Sequence, residues 1–179
     1  MTTSKTSALL VAGLCGLLAP RAASAGDAVD DARETLERFR KKDPDLMKFL
    51  EGAAGYAVFP TVGKGGMGIG GAYGKGIVFE RGKPVGKASL AQVTIGFQFG
   101  GQAYSEVVFF ETARTLKAFK EGQFALAAQA SAVAVTAGAS ADARYRDGVA
   151  VFTLAKGGLM YEASVGGQKF EYEAFKTGG

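Results

Sequence analysis

The chain has no histidine, no tryptophan and a single cysteine, Cys15, among its 179 residues. Without histidine it lacks the commonest general base, and with cysteine nearly absent it also lacks the usual zinc and copper ligands. A Ser-His-Asp or Cys-His catalytic site cannot be built from these residues. No D-x-D-x-D-G run is present for calcium. Carboxylate pairs remain at Asp30/Asp31, Glu106/Glu111 and Glu171/Glu173. The first pair falls in the opening turn of a predicted helix. The last alternates with Phe170 and Tyr172, which suits the wet face of a strand. Nothing else points to two-carboxylate sugar chemistry. The composition therefore reads as a non-enzyme with no cofactor and no metal.

Residues 1–25 read as an export leader. Lys5 gives a positive start and Ala8–Ala19 an apolar run of twelve residues, too short to span a bilayer. Pro20 and Arg21 break that run, and Ala23-Ser24-Ala25 forms a small-residue cleavage site before Gly26. Cys15 could instead be the acylated cysteine of a lipoprotein, although Leu14 stands where that processing prefers a small residue. The expected protein is thus exported, to the periplasm or to a membrane-associated place in the cell envelope. Residues 26–179 are expected to form one domain. Removing the leader takes away Lys5 and Arg21 and no acid, which lowers the net charge from +4 to +2. So mild a charge argues against a dedicated nucleic-acid binder.

What the chain has in abundance is glycine. Eight glycines fall within the fourteen residues 63–76, with Lys64 and Lys75 among them. Glycine at this density lets backbone pass close to another strand, an aromatic ring or a ligand. Gly66–Gly71 matches G-x-G-x-x-G, but no helix former follows, and the next acid, Glu80, comes far too early for a dinucleotide fold. The P-loop pattern fails because Gly76, not Ser or Thr, follows Lys75. The tract is expected to be a twisted strand or hairpin.

In order, the pattern predicts an amphipathic helix over 27–42, with Val29, Ala32, Leu36 and Phe39 inward and Arg38, Arg40, Lys41 and Lys42 at its end. Asp43-Pro44 stops it and opens a short second helix over 44–53, with Leu46, Met47 and Leu50 inward. The short apolar run Tyr56–Phe59 is expected to turn at Pro60. Strands are expected over 67–80, 83–88 and 92–100, the last with Val93, Ile95, Phe97 and Phe99 on one face. Residues 106–111 read as a buried strand and 112–121 as a short helix with Leu116 and Phe119 inward. Residues 124–139 are expected to be a strand and 149–154 another. Lys156-Gly157-Gly158 would turn 159–165 back as a hairpin, before a last strand around Phe170–Tyr172. The fold class is α+β: a curved, mostly antiparallel sheet or partly closed barrel, with an N-terminal helical pair and one further short helix.

Three stretches, GYAVFPTVGKGGMGIGGAYGKGIVFERGKP, IGFQFGGQAYSEVVFF and FTLAKGGLMYEASVGG, resemble in order and spacing the SYLF domain. That lipid-binding family occurs in bacterial secreted proteins and in eukaryotic endocytic and actin-patch proteins. The resemblance runs from about Asp27 to Phe175. It departs at Lys83–Lys87, where relatives typically carry a tryptophan. It implies a phospholipid or membrane surface as partner, and basic N-terminal segments contribute to lipid contact in some eukaryotic members. With that, Lys64, Lys75, Arg38, Arg40, Lys41 and Lys42 become the candidate lipid-binding residues, placed by their charge. A structural or partner-binding envelope protein without a lipid ligand is the alternative. A small outer-membrane barrel fits less well, given the helical start and the Lys-Thr-Gly-Gly end.

Overall fold

The computed structural model describes residues 24–96, 102–126, 131–157 and 163–176. Most of the expected leader, including Cys15, lies outside these residues. Helix α1 runs Ala25–Lys42. Ser24 caps it: its hydroxyl accepts from the Asp27 N–H, and the Asp27 carboxylate accepts from the Ser24 N–H. This is a capping box. Ala32, Leu36 and Phe39 are buried along one stripe. The helix ends where the Asp43 N–H bonds the Phe39 carbonyl. Asp43 then caps a single 3-10 turn, Pro44–Leu46, followed by helix α2, Met47–Gly52. Phe49 and Leu46, not Met47, are the buried residues of this pair. The Phe49 ring packs against Phe152, Tyr145 and Phe109 at 4.9, 5.2 and 5.9 Å.

The strands are β1 Gly55–Glu80, β2 Lys83–Gly96, β3 Gln102–Phe110, β4 Ser131–Ala134, β5 Val149–Ala155, β6 Ala163–Ser164 and β7 Lys169–Ala174. Helix α3, Ala113–Lys120, follows β3 and is capped by Thr112. The sheet order is β6-β4-β5-β3-β1-β2-β7. Every pairing is antiparallel except β4 with β5. The sheet is open among the described residues, so the curved sheet, and not the barrel, is the form observed.

β1 is 26 residues long and belongs to two parts of the sheet. Residues 55–64 pair with β3, while 68–80 pair with β2. The two halves face each other. A Cβ at Gly55 would lie 2.7 Å from the Phe79 carbonyl oxygen, one at Gly76 2.4 Å from that of Val58, and one at Gly74 3.1 Å from that of Thr61. As one half advances the other retreats, so the halves run antiparallel and the strand folds over near the middle of the glycine tract. Facing sheets ordinarily stand about 10 Å apart. Here bare backbone meets backbone, and glycine is what permits it.

This fold-over creates two layers. Between them pack Phe59, Val62, Val108, Phe110 and Val151 from one side and Val78, Leu90 and Phe170 from the other, with α3 adding Leu116 and Phe119. The alternate residues Tyr56, Val58, Val107, Phe109 and Phe152 face α1 and α2. Both faces of β3 are therefore buried, which accounts for its unbroken apolar run.

Several expectations need correction. Pro60 makes no turn. β1 continues through it, with a register shift between Phe59 and Val62, where the Ser105 hydroxyl donates to the Pro60 carbonyl at 2.8 Å. A proline has no N–H to give the ladder, so an irregularity with a side-chain donor suits it. β2 is one strand where two were expected, and residues 97–100 lie outside those described. At its far end Gln92 is buried and Val93 exposed, so the face that carries Val93 is the outward one there. The strand expected over 124–139 is observed only as β4, with 127–130 outside the described residues. The hairpin after Gly157 is not formed with β5 where it is described. β6 pairs with β4, which occupies the free edge of β5.

Candidate functional site

The outer face of β1, β2 and β7 can be read row by row from the register. Gly71 stands opposite Val93. Tyr73 is followed by Ala91 and Lys169, Lys75 by Ser89 and Glu171, and Ile77 by Lys87 and Glu173. Residues opposite one another, and those two apart, share a face. Tyr73 is 54% and Val93 78% exposed, large hydrophobic side chains left open on this face. They are diagonal neighbours, with Lys75 two residues from Tyr73 and Lys169 in the same row. The other end of this face is charged with both signs. There it forms a groove of about 1090 Å³ with the start of α1, lined by Asp27, Asp31, Glu171 and Glu173 together with Lys75 and Lys87. Hydrogen bonds from Ser24 hold the Asp27 carboxyl below its usual range.

The six residues expected from the sequence do not come together. Lys75 is exposed on the face just described. Lys64 is half-buried on the other half of β1, opposite Gln102. The bases of α1 lie at the end of the helix away from the groove. At 1.5 Å per residue, Lys42 stands roughly 20 Å along the axis from Asp27. Two of these bases are already engaged. Arg38 donates to the Thr35 hydroxyl at 2.6 Å, and Arg40 pairs with Glu37 at 2.7 Å. Lys41 and Lys42 are exposed. Lys48 donates to the Ala141 carbonyl at 2.5 Å.

Sequence reasoning missed Tyr73 and Val93. The Gly71-x-Tyr73-x-Lys75 alternation carried a signal, since it sets Tyr73 on the face of a lysine. Of the carboxylate pairs, Glu106 and Glu111 separate, whereas Glu171 and Glu173 share the outer face of β7. Glu106 points into the interlayer core and is fully buried, whereas Glu111 is exposed. Asp30 lies 3.6 Å from Arg33. Among the described residues no group of three acids is placed to hold a metal, and no helix is long and apolar enough to cross a membrane.

Residues 91–174, from the far half of β2 through β7, match the family model named Ysc84 and described as "Las17-binding protein actin regulator". This match supports assigning the chain to the SYLF family. The matched SYLF segment contains Val93, Lys169 and the interlayer residues of β3 and β5. The glycine tract and the helical pair precede it. No curated protein matches the chain.

Proposed function

We propose that this SYLF protein is a non-enzymatic lipid-binding module of the bacterial cell envelope, exported by its leader, that adsorbs to anionic phospholipid through the outer face of β1 and β2. The observation that carries this reading is the exposed Tyr73–Val93 pair with Lys169 in the row of Tyr73 and Lys75 in the next. A tyrosine presents an apolar ring with a polar tip, and lysine stems lie along apolar surface while their ammonium groups stay wet. That combination suits the headgroup layer. Each base near an anionic surface contributes roughly 1 kcal/mol. Lys64 adds charge near the same end of β1, and Lys41 and Lys42, with Arg38 and Arg40, form a second basic region at the far end of α1.

Vesicle co-sedimentation tests this. The protein is expected to pellet with anionic vesicles and not with zwitterionic ones, to lose binding as salt rises, and to bind less with Tyr73→Ala and Val93→Ala together. Binding unchanged by that pair would remove the face from the site. A protein partner is the second reading, favoured by the family's description as a Las17-binding regulator. Absence of binding to either vesicle would point there.

A further inference from the structure

The interlayer core is apolar except at one place. Tyr104 and Glu106 project into it from β3, since they alternate with Val107 and Phe109 and share a face with Val108 and Phe110. Thr153 stands directly opposite Glu106 on β5. Gln168, from the segment between β6 and β7, donates its amide to Glu106 Oε2 at 3.0 Å. It reaches across from the other layer and also faces Tyr104. All four side chains are at most 1% exposed. Yet Tyr104 Oη, Glu106 Oε1, Thr153 Oγ1 and Gln168 Oε1 have no well-formed hydrogen bond among the described residues, although the Gln168 side chain lies near the Tyr104 hydroxyl. Leaving even one buried polar atom unmet is destabilising. Four on contiguous side chains mark a place where something is received.

The donors and acceptors indicate what. Gln168 Oε1 can only accept. The two hydroxyls can donate or accept. Glu106 accepts when ionised and can donate when protonated. Water, which donates two hydrogen bonds and accepts two, matches that set, and buried waters typically make about three such bonds. We infer that Tyr104, Glu106, Thr153 and Gln168 form a closed polar site that holds one water molecule, with Glu106 uncharged, and that this hydrated site joins the two layers through Gln168.

Burial agrees with an uncharged Glu106. It pushes the carboxyl up to about 8, against a smaller opposing effect of the Gln168 amide. The groups facing Glu106 are Phe59 from β1, Thr153 from β5, Tyr104 from its own strand and Gln168. Of these only Tyr104 titrates, and burial holds its hydroxyl far above its usual range. No described base lies there to stabilise a carboxylate.

Thermal unfolding between pH 6 and pH 9, in sodium, potassium, calcium and choline chloride at equal ionic strength, separates this site from a cation site. The four salts are expected to give the same midpoint at each pH. Wild-type stability should fall from pH 6 toward pH 8, and Glu106→Gln should flatten that fall. Stabilisation by one cation that Glu106→Gln abolishes would overturn the inference, as would an unchanged pH response in that variant. Tyr104→Phe and Thr153→Val keep the shape and remove one hydroxyl each. Each is expected to lower the folded-to-unfolded ratio about 5- to 30-fold. If neither does, the site is not held by these groups. A high-resolution crystal structure of the wild type should place one water within hydrogen-bond distance of the four oxygens, and a dry gap there would also overturn the inference.

Discussion

A Cβ on Gly76 would stand 2.4 Å from the carbonyl oxygen of Val58, eighteen residues earlier on the same strand. The obstruction is backbone on a buried strand, so no side-chain rotation relieves it. Phe59 closes the remaining space, with ring atoms at 2.7 and 3.0 Å. Gly76→Ala should therefore cost about 3 kcal/mol or more, at the upper end of single substitutions. A Cβ at Gly65 meets nothing within 4 Å. Gly65→Ala should stay within about 1 kcal/mol. Urea unfolding midpoints of the two variants, measured side by side, check this.

Asp43 ties the end of α1 to a distant loop. Its carboxylate accepts from the Asp45 N–H at 3.2 Å and the Ser140 N–H at 2.7 Å. Burial pushes this carboxyl up, but the hydrogen bonds from Ser140 and Asp45 outweigh it and hold the group below its usual range. A carboxyl held low contributes stability above its ordinary pKa and loses it as pH falls through the lowered one. Asp43→Ala should cost roughly 1–3 kcal/mol at pH 7. It should also flatten the loss of stability below about pH 4. Thermal melts from pH 2 to pH 7 measure both effects.

The two basic regions lie at different ends of the molecule, so charge reversal can tell them apart. Lys75→Glu should weaken binding to anionic vesicles by more than fivefold, since it removes one base and adds one acid at the proposed face. Lys41→Glu with Lys42→Glu should have the smaller effect. The reverse ranking in co-sedimentation would move the lipid contact to the end of α1.

Cleavage after Ala25 would remove the residue that caps α1. The Ser24 hydroxyl and the Asp27 carboxylate satisfy each other's N–H groups in the uncut chain. Loss of such a cap costs about 1 kcal/mol. Intact mass measurement of the exported protein should give Gly26 as the first residue. A chain beginning at Gly26 should melt a few degrees below one that retains Ser24.

Elements written in local pattern were legible in the sequence. α1 showed its stripe, Asp43-Pro44 its stop, Val107–Phe110 its two-sided burial, and Thr112 and Gly122 the bounds of α3. What required distant partners was not. The glycine tract announced a close approach, but nothing near Gly76 in sequence says that Val58 is what approaches. Pro60 looked like a turn because the hydroxyl that accommodates it belongs to Ser105. At Gln92-Val93 the alternation was real, but period two does not say which face is inward. The lysines were found as charges. Their separation along α1 and across β1 is a tertiary fact. Glu106 read as one of a pair because burial of a carboxylate leaves no mark on its neighbours in sequence.

The strand shared by both layers also governs how the molecule must be assembled. Gly55 closes on Phe110, 55 residues on, and Gly86 on Ala174, 88 residues on. Such long closures precede most of the stabilising contacts, which places folding among the slower, β-rich domains, on the order of milliseconds to seconds. Until β7 arrives, β2 presents a bare edge from Gly86 to Ala91, a template for pairing with another copy. The last dozen described residues thus act as the guard of a sheet begun more than a hundred residues earlier, and a chain cut short before Lys169 would aggregate where the full chain folds.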